Sequence, residues 1–285
     1  LRTELIRRFA YAGALLHTLS LGRLSPDASY QVLLWIAYLA PGVTAFALLA
    51  RLLGSGWLAL PGAFVALTLS ARIASGVDGG VHTGMLAARL AWALLPLVVM
   101  AAVRWAESDA PFPRRVVLLA TLILLTHPAH MPAVVAILFL AAAVASPPRA
   151  ARCRQAVAGL GLAVALSAFW TLPLLARLAE ARPLAWGGLA ETVSPGKLFA
   201  QPLVLVLVAL AIIANRVTVG PGERLVAWLP WVVASVVIAD ALVIEPLGLR
   251  WLPAHRVADG AWLGVVLAAG LAAGRLITWG APTWP

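Results

Sequence analysis

The residues able to do chemistry fall into a few short stretches. Ser75-Gly76-Val77-Asp78-Gly79-Gly80-Val81-His82-Thr83-Gly84 joins one acid and one histidine in a glycine-rich loop. Glycine lets the backbone approach a ligand closely, and Asp78 and His82 could exchange protons or hold a hard divalent ion. A flexible turn with solvated polar groups fits the same residues, so Asp78 and His82 are weak catalytic candidates. Arg72 and Arg89 bracket this loop, each near the end of an apolar stretch. A guanidinium there either snorkels to the headgroups or clamps an anion such as a lipid phosphate. His127 and His130 flank Pro128 within Thr126-His127-Pro128-Ala129-His130-Met131-Pro132, and Arg250, His255 and Arg256 fall within Arg250-Trp251-Leu252-Pro253-Ala254-His255-Arg256. Both stretches suit a polar or phosphorylated substrate, and both also suit the membrane interface alone. The histidine pair lacks the third and fourth ligands of a zinc site, so no metal site is assigned.

The elements that must position these groups are membrane helices. Of the 285 residues 62% are hydrophobic and 11% charged, and mean hydropathy is +0.96. Soluble domains carry about 45–50% apolar and about 25% charged residues. No soluble fold of this size hides so much apolar surface. Apolar segments near the length of a bilayer crossing are Tyr30–Leu53, Trp57–Ala74, Met85–Val103, Gln155–Leu175, Leu225–Ile244 and Val257–Leu276. Leu203–Ala214 reaches that length with the Phe199–Pro202 stretch. Leu5–Leu21 carries Arg7, Arg8 and His17 and reads as an interfacial helix. Residues 1–29 thus form an interfacial helix and outer loop, 30–276 the transmembrane domain, and 277–285 the tail of a chain expected to be a fragment.

Val116–Ala145 is too long for one ordinary crossing, and Pro128 and Pro132 interrupt it. Arg104, Arg114 and Arg115 precede it, and Arg149, Arg152 and Arg154 follow it. Short arginine-rich loops stay on the cytoplasmic side, so both flanks share a side and the chain between them forms a hairpin. The loops Arg104–Arg115, Ser146–Arg154 and Asn215–Arg224 then lie inside. Ser75–Gly84, His127–Pro132, Arg177–Gln201 and Glu245–Asp259 lie outside, and they hold most of the titratable groups. The expected fold is all-α: a polytopic transmembrane bundle of about 8–10 membrane helices, including a short hairpin tipped by His-Pro.

The net charge of +10 belongs to arginines flanking apolar segments, which suits anionic lipid rather than nucleic acid. The twelve tryptophans suit the membrane–water interface. Cys153 is the single cysteine, so no intrachain disulfide forms. Asp27, next to Pro26, reads as a helix-start group. Asp259 reads as the partner of Arg256, and Asp240 is an acid within an apolar helix.

The order of features resembles the membrane part of the GT-C glycosyltransferase superfamily, in its uncharacterised bacterial and archaeal branch. The likeness rests on Ala88-Arg89-Leu90-Ala91-Trp92-Ala93-Leu94-Leu95-Pro96-Leu97, Leu124-Leu125-Thr126-His127-Pro128, Ser167-Ala168-Phe169-Trp170-Thr171-Leu172-Pro173-Leu174 and Pro253-Ala254-His255-Arg256. These short apolar stretches are spread over most of Tyr30–Leu276. The resemblance implies an integral protein of the prokaryotic cytoplasmic membrane. It would bind a polyprenyl-phosphate sugar at the outer face and pass the sugar to a lipid or protein acceptor. It places Arg72, Arg89, His127, His130, Arg250, His255 and Arg256 around the donor. The family's catalytic acid lies in the first outer loop, and Asp27 has no such acidic motif around it, so that acid is expected upstream of Leu1 or absent. The alternatives are a non-catalytic scaffold or accessory subunit among other membrane subunits and, with no internal repeat in view, less favoured still, a transporter.

Overall fold

A computed structural model of the chain describes residues 13–70, 76–77, 86–108, 111–145, 148–177, 201–247 and 254–280. The helices are α1 (Pro26–Leu53), α2 (Gly56–Thr68), α3 (Leu86–Ala106), α4 (Arg114–Thr126), α5 (Met131–Val144), α6 (Arg149–Leu166), α7 (Ala168–Ala176), α8 (Pro202–Val217), α9 (Pro221–Ala239) and α10 (Ala254–Gly280). A short helical segment at 13–19 precedes them. Among the described residues no strand occurs. The protein is an all-α helical bundle.

Helix starts follow local chemistry. The Ser25 hydroxyl accepts from the Ala28 amide at 3.2 Å, Pro26 occupies the first turn and Asp27 follows it. An acceptor, a residue without N–H and an anion all suit the exposed donors and positive end of a helix. At the other end of α1, Gly54 adopts φ 68°, the left-handed conformation that glycine takes without a Cβ penalty.

Among the described residues, four stretches are long and apolar enough to cross a bilayer: Pro26–Leu53, Leu86–Ala106, Pro221–Val243 and Arg256–Trp279. They mark an integral membrane protein. Two expected spans differ. The expected crossing at Gln155–Leu175 is broken at Ser167, where α6 and α7 meet at a bend of 81°. The Ser167 amide and hydroxyl both turn back to the preceding turn, bonding Ala163 and Val164 carbonyls, so the α6 ladder closes there. The expected span at Trp57–Ala74 is the helix Gly56–Thr68, with 71–75 outside the described residues.

The hairpin is present. Helix α4 ends at Thr126, a 3₁₀ turn runs Pro128–His130, and α5 begins at Met131. Pro128 and Pro132 each stand at the start of their turn, where a missing N–H leaves no hole. Both flanks of the hairpin share an end of the bundle, because the Arg152 guanidinium donates to the carbonyls of Trp105 and Ser108. Gly222 packs against Val103 and Glu107, which brings the loop before α9 to that same end.

Helix α10 is the central post, packed against α2, α8 and α9, while α3 holds α1, α4 and α5. Small residues allow the closest approach. A Cβ added to Gly270 would lie 2.8 Å from the Cα of Gly62, so α2 and α10 touch backbone to backbone. Apolar side chains such as Trp35, Val43, Phe64, Leu118, Phe169 and Leu172 stay exposed around the outside. In water such a surface would aggregate, and in lipid it is matched.

Candidate functional site

Polar groups gather at the end of the bundle opposite the arginine-rich loops. The 3₁₀ turn presses His130 against the first turns of α10, where its Nε2 lies 3.1 Å from Oδ2 of Asp259. His130 is 0% and Asp259 4% exposed. Beside them the buried His127 ring meets the His130 ring edge-on, with centroids 4.9 Å apart. From α3, the Trp92 indole N–H donates to the backbone carbonyl of Asp259 at 3.0 Å. The hairpin tip, α3 and α10 are thereby tied together by a handful of polar contacts.

Arg89 stands one turn before Trp92 and is 2% exposed. Its guanidinium lies 5.1 Å from the Trp92 ring centroid and 6.0 Å from that of Tyr38 on α1. One long hydrogen bond, 3.4 Å, runs from its Nη2 to the Ala66 carbonyl of α2. Its Nε and Nη1 have no hydrogen-bond partner among the described residues. The Asp259 carboxylate attracts its charge from across the site. A buried charge with two open donor nitrogens is an arrangement that an anion would complete.

The snorkelling reading of Arg89 is corrected: the side chain turns into the bundle and does not reach the headgroups. Asp259 is corrected too. It pairs with His130, brought from the hairpin, rather than simply with Arg256 one turn before it. The Nε of Arg256 is buried without a partner. Arg89 and His130 are connected through Asp259, with His127 beside His130 and Arg256 one turn before Asp259. Arg72, Asp78, His82 and Arg250 lie outside the described residues, as does the side chain of His255. Among the described residues no group of three or more His, Cys, Asp or Glu could hold a metal ion. Sequence reasoning passed over Tyr38 and Trp92. Trp92 could have been found, since it stands on the same helical face as Arg89, three residues on. Instead of marking the interface, Trp92 and Trp105 are buried in the core.

No family model, curated protein or solved structure matches the chain.

Proposed function

We propose that this chain is the membrane part of a GT-C-like glycosyltransferase of the prokaryotic cytoplasmic membrane. In this reading it holds a polyprenyl-phosphate sugar at the Arg89 end of the bundle. The observation that carries the proposal is the buried, incompletely bonded Arg89 beside the His130–Asp259 pair. An arginine kept in an apolar helix without full protein partners is costly, and the phosphate of a lipid-linked sugar would supply the missing acceptors. The polyprenyl chain would stay in the bilayer while the sugar stays near the aqueous surface. Arg256, near the start of the described part of α10, is assigned to the same phosphate, and so is Arg250. His127 and His130 are assigned to the polar groups beside the donor. Charge neutralisation at the leaving phosphate lowers the barrier to sugar transfer, and a carboxylate would position or deprotonate the acceptor.

The test is binding of polyprenyl phosphate to the purified chain in detergent, with a lipid-linked sugar transfer assay beside it. Saturable binding is expected, and Arg89→Met should weaken it by about thirty- to a hundredfold, the loss of one or two charge-assisted hydrogen bonds. The chain by itself is expected to transfer no sugar. Turnover that Asp78→Asn abolishes would overturn that and make Asp78 the catalytic acid. Absence of polyprenyl phosphate binding to the unaltered chain would reject the transferase reading. A second reading, a non-catalytic subunit of a larger membrane assembly, would then stand. It is favoured by the depth of His130 and Asp259, which serve as a fastening between the hairpin and α10.

A further inference from the structure

A groove of about 720 Å³ opens at the arginine-rich end of the bundle, between the second half of α3 and the start of α4. It shares no residue with the Arg89 site. Its walls repeat one pattern on both helices. On α3, Leu97, Met100 and Arg104 follow each other at three- and four-residue steps, and on α4 Arg115 is followed by Leu118 and Leu119. Each wall is therefore apolar towards the middle of the bundle and ends in a guanidinium. Seven residues of helix rise span about 10 Å, a stretch of membrane depth that the upper part of an acyl chain occupies.

Among the described residues that line the groove, the charged ones are both arginines. Arg104 and Arg115 are exposed, and neither guanidinium has a hydrogen bond or ion pair among the described residues. Arg152 stands behind the wall, over the Trp105 ring at 5.4 Å and bonded to the Ser108 carbonyl, and it adds a third cation. Glu107, the neighbouring acid, is engaged by Arg51. No carboxylate lines the groove among the described residues, and Asp109 of the connecting loop lies outside them. The Trp105 ring, buried and braced edge-on by Phe112 at 5.2 Å, gives the groove a rigid back.

From this geometry we infer that the groove is a binding site for one anionic phospholipid of the leaflet at the arginine-rich end. The headgroup phosphate lies between Arg104 and Arg115, and one acyl chain runs between Met100 and Leu118. A zwitterionic lipid fits the walls equally well but brings a positive group to the same two arginines. Charge complementarity therefore selects the anionic one. The inference stands apart from the proposed glycosyl transfer, since it uses neither Arg89 nor the outer end.

Native mass spectrometry of the full chain in detergent, titrated with phosphatidylglycerol or phosphatidylcholine, tests it. One phosphatidylglycerol should be retained preferentially. The double variant Arg104→Gln/Arg115→Gln should reduce that preference by about thirtyfold, the contribution of two interfacial arginines. Arg216→Gln/Arg224→Gln removes the same charge from the same end without touching the groove, and it should leave the preference intact. Ala101→Phe fills the groove while keeping both arginines, and it should release the lipid. Inorganic phosphate at millimolar concentration should not compete, because the acyl chain holds the lipid in place. The inference is overturned by equal retention of the two lipids, or by equal loss in the two arginine double variants. Binding that survives Ala101→Phe would also overturn it, since the arginines would then act as surface charge alone.

Discussion

Glu223 and Arg89 are both buried charges, one near each end of the bundle, and their surroundings differ. Glu223 on α9 accepts from the Arg275 guanidinium of α10 and from the amide of Val219 at 3.0 Å. Nearby, Arg152 donates to two backbone carbonyls and lies over an indole ring. Arg89 has one long bond to a carbonyl, two aromatic rings and two donors left over. A charge that has its full set of partners fastens helices together and needs nothing from outside. A charge that lacks them lowers the stability of the protein by itself and gains most from a ligand. The buried charges Glu223 and Arg152 thus read as a clamp and Arg89 as part of a site, and substitutions that sort the two behaviours follow.

The largest effect is expected at the link between the site and the bundle. In the His130–Asp259 pair both side chains are almost wholly buried. Asp259→Ala would leave His130 without its acid and Arg89 without the nearest negative charge. A loss of about 3 kcal/mol is expected, the upper end of the range for leaving a buried polar group unpaired, measured by thermal or denaturant unfolding in detergent. A loss under about 1 kcal/mol would mean that this end is open to water and that the contrast between the ends is overdrawn.

Glu223→Ala should cost less, about 2–3 kcal/mol, because the Arg275 side chain is 25% exposed and can turn to water once released. Replacing both members, Glu223→Met with Arg275→Met, should recover most of that loss, since no uncompensated charge remains. A double variant no more stable than Glu223→Ala would show that the amide bond to Val219, rather than the ion pair, holds this corner.

Arg89→Met carries the opposite sign. Removing a buried guanidinium with open donors and filling the space with an apolar chain of similar length should raise stability by about 1–2 kcal/mol. The same substitution should weaken polyprenyl phosphate binding by about thirty- to a hundredfold. Stability gained as binding is lost is the signature of a group kept for a ligand. If Arg89→Met is destabilising, Arg89 belongs with Arg152 as a structural cation.

Much of this contrast could not be read along the chain. The hairpin could, because arginine-rich flanks demand an even number of crossings and Pro128 and Pro132 say where the chain turns. The depth of Arg89 could not, since hydropathy places it near the end of an apolar segment but does not say whether the side chain leaves or enters the bundle. Nor could the partner of Asp259. Arg256 was the local choice three residues away, whereas His130 arrives through the packing of the hairpin tip on α10. The break at Ser167 was hidden for a similar reason. Apolar residues on both sides of a bend score like one continuous span, and only backbone geometry reveals that α7 turns away.

The smallest effect is expected for Arg51 and Glu107, the arginine-rich end's exposed pair. Their groups are 3.3 Å apart, which by distance alone rivals the His130–Asp259 contact. Distance is not what decides. The side chains are 36% and 37% exposed, so water and salt compete for both charges, and neither group was desolvated to form the pair. Arg51→Ala is therefore expected to change stability by no more than about 0.5 kcal/mol, and raising salt from 0.05 to 0.5 M, about a tenfold change, should erase even that. The buried His130–Asp259 contact should keep its contribution through the same salt titration, because the surrounding side chains exclude the screening ions. Unfolding of the two single variants, Arg51→Ala and Asp259→Ala, at both salt concentrations reads the difference directly. An Arg51→Ala cost above about 1 kcal/mol that salt does not reduce would place this pair inside the protein rather than at its surface. The clamp would then extend beyond Glu223 and Arg152 to the end of α1.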